Sequence, residues 1–432
     1  MERKIFAKLI AWKNSPRRKP LIIKGARQVG KTYSALNFGK THYKNTVYFS
    51  MEDSREIQKV FSRDLRPERI IRELSAYSGQ SIFPGDTLVI FDEIQACERA
   101  LTSLKYFCEE APNYHIIAAG SLLGVAMNRE KYSFPVGKTD MLTLYPLDFE
   151  EFIAASGNSS LAESIKESYS NFSLFSLHDT AMDLYRIYLA VGGMPQAVFE
   201  YFNTRDFDFV LAAQKTINDA YIADMAKYAS PHETTKIMAA WASLPAQLSK
   251  ENHKFQYKTI KSGARAYEYE TPLDWLKFAG AINKCVRVTE GRIPLSAYAD
   301  NDSFKVYMMD TGLLYSKLGI AASVILSENA AFNGFKGALA ENYVCQSLAA
   351  NGFTPFYWSN PGKAELDFVI CGKQGNIIPL ECKSADNVKA KSLMQFISLY
   401  KPDYSVRVSA KNFGYENGIK SIPLYALFCL TP

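Results

Sequence analysis

Between residues 21 and 144, short apolar runs at 21–23, 46–50, 87–91, 115–119 and 141–144 alternate with stretches of helical periodicity. A strand buried on both faces reads as a continuous apolar run, and a parallel return needs a crossover helix, so this pattern predicts an α/β fold with a parallel sheet flanked by helices. From 146 to about 232 the pattern is helical and rich in aromatic and aliphatic residues. From 236 to 319 it reads as a helix, a short basic stretch, and a helix over 272–281 on which Leu273, Leu276 and Gly280 keep one face apolar or small. Two strands at 283–288 and 304–309 follow, joined by a polar loop. The last hundred residues read as a helix at 334–351, strands at 364–370 and 377–383, and a further helix containing Gln395 and Tyr400. A chain of 432 residues is too long for one ordinary core. The expected division is 1–146, 147–235, 236–325 and 326–432.

The first of these segments carries recognisable chemistry. Gly25-Ala26-Arg27-Gln28-Val29-Gly30-Lys31-Thr32 follows a strand and opens a helix, the context that a phosphate-binding loop requires. Its backbone N–H groups lie at the positive end of the helix and suit the phosphates of ATP. Lys31 is expected to bridge the β- and γ-phosphates, while Thr32 and Asp92 hold Mg²⁺. Glu93, beside Asp92 at the end of the 87–91 strand, stands where a base would polarise the attacking water. Together these residues predict an ATPase.

Three further segments each carry two readings. Ser121, after the 115–119 strand, either senses the γ-phosphate or caps a turn. Gly192, Gly193 and Pro195 either close over the adenine or make an interhelical turn. The helices and two-stranded ribbon of 236–325 suggest a winged-helix module, in which Lys258, Lys261 and Arg265 would contact DNA phosphates; such modules also bind protein or pack internally.

The C-terminal segment offers a second chemistry. Residues two apart on a strand share a face, which pairs Glu365 with Asp367 and Glu381 with Lys383. Asp367 and Glu381, supported by Glu341, would form a Mg²⁺ or Mn²⁺ site, with Lys383 beside the nucleophilic water, as in a metal-dependent phosphodiesterase. A nuclease fold that no longer cuts is the competing reading.

Composition narrows these readings only slightly. A formal charge of +6 permits a nucleic-acid partner without demanding one. Seven scattered cysteines with no C-x-x-C pair predict reduced, buried thiols rather than disulfides or a zinc site. No apolar run approaches membrane-spanning length and the first residues lack a signal-peptide core, so a cytoplasmic location is expected.

The residues 20–32, Val89-Ile90-Phe91-Asp92-Glu93-Ile94-Gln95, Ala119-Gly120-Ser121, 144–152, Gly192-Gly193-Met194-Pro195, Lys305-Val306-Tyr307-Met308-Met309-Asp310 and 365–370 resemble a family of bacterial and archaeal AAA+ ATPases. The C-terminal part of that family has nuclease-like character. The resemblance runs over nearly the whole chain. It implies an AAA+ core, a helical lid, a winged-helix segment and a C-terminal fold similar to the PD-(D/E)xK nucleases, and supplies no substrate. From the residues themselves, the expected partners are further copies of the chain and DNA, with a protein partner as the rival reading. Many relatives carry Gly-Arg before the 144–152 segment, where this chain has Gly137-Lys138. Lysine lacks the planar fork of arginine, so Arg129 is the better candidate for a cation reaching a neighbour's γ-phosphate, with Lys138 the alternative.

Overall fold

The computed structural model describes residues 3–120, 135–250, 254–327, 333–360, 364–384 and 391–432. The chain divides into two compact units, Glu2–Tyr145 with Phe278–Gly280 and Pro146–Lys277 with Ala281–Pro432.

The N-terminal unit contains α1 (Ile5–Asn14), β1 (Leu21–Lys24), α2 (Lys31–His42), β2 (Asn45–Ser50), α3 (Arg55–Val60), α4 (Pro67–Ser78), β3 (Thr87–Asp92), α5 (Glu98–Glu110), β4 (His115–Gly120) and β5 (Asp140–Thr143). The strands form one parallel sheet in the order β2-β3-β4-β1-β5. β4 is therefore inserted between the loop strand β1 and the acidic strand β3. Every residue of β3 and β4 is buried, which explains why these strands read as unbroken apolar runs. Ile70 and Leu74 of α4 and Leu101, Leu104 and Phe107 of α5 share a core with Val47, Phe49, Val89, Phe91 and Ile116 of the sheet.

The second unit begins with helices: α6 (Phe149–Ala155), α7 (Ser159–Asn171), α8 (His178–Val191), α9 (Pro195–Thr204), α10 (Phe207–Tyr228), α11 (Pro231–Leu248), α12 (Tyr257–Ile260) and α13 (Ala266–Phe278). After them come β6 (Ile282–Val288), β7 (Ala299–Met308), α14 (Thr311–Leu318), α15 (Ala322–Leu326), α16 (Asn333–Ala350), β8 (Phe356–Asn360), β9 (Ala364–Cys371), β10 (Ile377–Cys382), α17 (Lys391–Tyr400), β11 (Ser405–Ser409), β12 (Gly414–Glu416) and β13 (Ile419–Pro423). The eight strands form one mixed sheet in the order β12-β13-β11-β10-β9-β8-β6-β7.

One sheet spans residue 325, where the sequence suggests a boundary. The β6–β7 ribbon, read from sequence as part of a winged-helix module, is the end of the C-terminal sheet, with β6 running parallel to β8. On one face of that sheet, Leu393 and Phe396 of α17 pack on Val288, Trp358, Leu366 and Val369. Helix α16 is buried almost all round, against β6, β7, β10 and α14. Its Asn342 accepts from the Met308 N–H at 2.7 Å and donates to the Met308 carbonyl at 3.1 Å, satisfying backbone groups of the end strand β7. The cysteines depart in part from expectation: none of the seven forms a disulfide, but Cys108 and Cys429 are only partly buried and Cys371 is exposed. Among the described residues, no helix is long and apolar enough to cross a membrane.

Candidate functional site

The loop between β1 and α2 has the backbone that phosphate binding needs. Gly30 is left-handed at φ 93° just before the first turn of α2, and Gln28 is left-handed at φ 63°. Such alternation turns successive N–H groups toward one concavity. Gly25 is needed for room, because a Cβ there would lie 2.2 Å from the Leu144 carbonyl oxygen. Lys31 is buried, and its ammonium donates to the carbonyls of Gly25 at 3.0 Å and Ala26 at 2.8 Å, which holds the charge over the loop.

Insertion of β4 places the end of β3 across from this loop. The Thr32 hydroxyl donates to Asp92 Oδ2 at 2.8 Å, so the two oxygens expected to hold Mg²⁺ are adjacent. This all-oxygen pair fits a hard divalent ion. Asp92 Oδ2 also accepts from the Tyr48 hydroxyl at 3.0 Å. Burial, followed by the Asp92 charge, raises the Tyr48 phenol above its ordinary value, so it remains a donor.

Glu93 leaves the strand in a left-handed conformation at φ 47°, a costly geometry for a non-glycine residue, and its N–H donates to Asp92 Oδ1 at 3.0 Å. Its carboxylate accepts from Gln95 Nε2. Gln95 in turn is packed against the end of β4, where a Cβ on Gly120 would meet Gln95 Oε1 at 2.1 Å. Tyr48 and Gln95 were not assigned roles from sequence. Gln95 lies within the 89–95 motif, but its partner Gly120 is distant along the chain.

Ser121 and Arg129 lie outside the described residues. Lys138 forms an exposed ion pair with Glu109 at 2.8 Å inside its own unit. The room beside Gly192 and Gly193 is taken by protein. A Cβ on Gly192 would lie 2.3 Å from Asp310 Oδ1, and one on Gly193 would lie 2.0 Å from the Leu147 carbonyl oxygen. The Gly193 N–H donates to Asp310 Oδ2 at 2.6 Å, and Pro195 opens α9, so within this unit the segment is an interhelical turn. Lys258, Lys261 and Arg265 are all exposed around α12.

The C-terminal carboxylates come together, but not as a metal-ligand set. Among the described residues, no group of three or more His, Cys, Asp or Glu side chains is arranged to hold a metal ion. The residue missed in sequence is Lys305 on β7, which is almost wholly buried. Its ammonium lies 2.7 Å from Glu365 Oε1 and 3.8 Å from Glu341 Oε2. Burial alone would lower the Lys305 ammonium, but Glu341, Glu365 and Asp367 outweigh it and hold it above the ordinary lysine value. Glu341 Oε2 also accepts from the Tyr307 hydroxyl at 2.9 Å. Asp367 Oδ2 accepts from the Cys382 N–H at 2.8 Å, and Lys383 pairs with Glu381 at 2.8 Å as the strand alternation predicts. Burial, then Glu341, pushes the Asp367 carboxyl up to about 7.

Residues 17–153 match the family model described as an AAA domain. Loop, sheet order and this match define the N-terminal unit as a P-loop, ATP-binding domain of the AAA ATPase class. Residues 182–324 and 336–427 match two family models, each described as a domain of unknown function. No curated protein matches the chain at a significant level. Solved structures give distant likenesses. The Walker-type ATPase PABY2304 of Pyrococcus abyssi is 16% identical, with 73% of this chain and 95% of that one covered and a TM-score of 0.45. The ORC2 protein of Aeropyrum pernix, in ADPNP–ADP complexes, is 13% identical, with 75% and 94% covered and a TM-score of 0.36. AMPPCP-bound DnaA of Aquifex aeolicus is 12% identical, with 64% and 89% covered and a TM-score of 0.29. At these scores the likenesses carry no argument about function.

Proposed function

We propose that the N-terminal unit hydrolyses ATP and that its nucleotide state drives the C-terminal half on DNA. The observation that carries this reading is the convergence of Lys31, Thr32, Asp92 and Glu93 on one loop mouth, with Gln95 orienting the base. Lys31 and the loop N–H groups bind the phosphates, while Thr32 and Asp92 supply oxygens for Mg²⁺, which neutralises phosphate charge when bound. Glu93 takes the proton of a water as that water bonds to the γ-phosphorus, and the bond from phosphorus to the ADP oxygen breaks. Oligomerisation would bring Lys138 or Arg129 of one copy to the nucleotide of the next, giving turnover per chain that rises with protein concentration.

The direct test is ATP turnover with and without DNA. Lys31→Ala should lose nucleotide binding, whereas Glu93→Gln should bind ATP and fail to hydrolyse it. Wild-type turnover by Glu93→Gln would overturn the assigned base. The exposed Lys258, Lys261 and Arg265 support DNA contact, and each lost phosphate contact should lower the log–log salt slope of binding by about one unit. A triple alanine variant with unchanged affinity and slope would remove them from the interface.

A second reading is favoured by Lys305: the C-terminal half is a nuclease-like scaffold that binds a partner without cutting. The order of α16, β9, β10 and α17, with Glu341, Asp367 and Glu381-x-Lys383 on them, supports the nuclease-like fold. The ammonium among the carboxylates favours loss of cleavage. Assays with Mg²⁺ or Mn²⁺ on single-stranded, duplex and branched DNA separate the readings, since any Lys383-dependent cutting removes the second.

A further inference from the structure

We infer that Lys305 is the resident cation of the C-terminal carboxylate cluster, and that a neutral residue in its place opens a divalent-cation site centred on Asp367 and Glu381. The inference rests on the scaffold reading above. Lysine is seldom this deeply buried unless its charge is matched. Here the matching groups are Glu365 at 2.7 Å and Glu341 at 3.8 Å, with the Tyr357 ring centre 5.2 Å from the ammonium.

Lys305 and Tyr307 lie two apart on β7 and share a face, and both reach Glu341. Glu341 is thus engaged by the protein itself, which explains why it does not join Asp367 and Glu381 as a ligand set. A second observation points to the latent site. Glu381 is almost wholly buried, and although its Oε1 pairs with Lys383 at 2.8 Å, its Oε2 has no hydrogen-bond partner among the described residues. Without the Lys305 charge, Lys383 stays paired with Glu381, but Glu341, Glu365, Asp367 and Glu381 together offer an excess of carboxylate oxygens, the donor type that Mg²⁺ and Mn²⁺ take.

The test uses the full-length, nucleotide-free protein and Mn²⁺, followed by calorimetry and by thermal melting. Wild type should show no Mn²⁺ equivalent that depends on Asp367. Lys305→Met should gain one Asp367-dependent equivalent per chain, with an affinity on the order of tenfold or more above any residual Mn²⁺ binding by wild type, as removal of a unit charge beside the ligands requires. Its melting temperature should rise with Mn²⁺, and both effects should vanish when Asp367→Asn is added. Lys305→Arg, which keeps the charge, should gain no site. If Lys305→Met does not fold, Lys305→Met with Glu365→Gln removes the charges as a pair and should fold without metal. Failure of that double variant too would make Lys305 a packing requirement and overturn the inference. A folded Lys305→Met protein that gains no site overturns the inference alone. An Asp367-dependent Mn²⁺ site in wild type overturns it as well, and if that site also cuts DNA the scaffold reading falls with it.

Discussion

Glu93 illustrates how much a single side chain depends on its second neighbour. Its left-handed backbone turns the carboxylate away from the strand direction, and Gln95 holds it there. Gln95→Ala should therefore lower turnover on the order of tenfold while ATP affinity stays at the wild-type value, a loss smaller than the ~10²–10⁴-fold contribution of a general base itself. Equal loss in binding and turnover, measured by nucleotide titration beside steady-state rates, would count against a positioning role. Asp310 shows the opposite balance of forces. Burial pushes its carboxyl up to about 6, outweighing the N–H groups of Gly193, Leu313 and Gly312. The unfolded group titrates near ~3.9, so the folded state binds more protons between the two values and stability falls as pH rises through that window. The full effect is of the order of 3 kcal/mol, with about 1 kcal/mol of it falling between pH 5 and 7. Urea unfolding of wild type and Asp310→Asn across that range should show their difference changing by that amount; a constant difference would mean that the N–H groups keep the carboxylate ionised.

At the scale of elements, close approach of backbones decides what each position tolerates. Pro195 starting α9 and Gly319 ending α14 at φ 64° are legible in sequence, because proline and glycine carry those backbone preferences locally. The need for Gly193 is not local, since it comes from the Leu147 carbonyl. Gly193→Ala should cost about 2–3 kcal/mol, because something in a packed turn must move. Gly319→Ala has open space at its Cβ and should cost only the left-handed penalty of about 1 kcal/mol. Both values are accessible from urea midpoints, and a Gly193→Ala cost no larger than that of Gly319→Ala would show that the α8–α9 turn relaxes freely.

At the scale of the whole molecule, one sheet joins strands on both sides of residue 325 in the second unit. β6 pairs with β8 although β7, α14, α15 and α16 separate them along the chain. A fragment beginning at residue 326 lacks β6 and β7, leaving the β8 edge and the Glu341 and Glu365 carboxylates without Lys305. It should fail to melt cooperatively and should aggregate, whereas a fragment beginning at residue 146 should give a cooperative melt. A monomeric, cooperatively folding 326–432 fragment would show that the β6–β7 ribbon is dispensable.

The parallel sheet, the loop around Lys31 and the Asp92-Glu93 pair were legible in the chain because each depends on contiguous residues: strand burial, left-handed glycines and a helix start are properties of a few neighbours. The Glu381–Lys383 pair was legible for the same reason, through the two-residue period of a strand. The sheet to which β6 and β7 belong, the packing around Gly193, the Gln95 contact with Gly120 and the Lys305 cluster were not. Each joins groups far apart along the chain, and only strand order and side-chain packing bring them within a few ångströms. Residue pattern specifies local backbone, whereas charge matching in a buried cluster depends on which distant strands become neighbours.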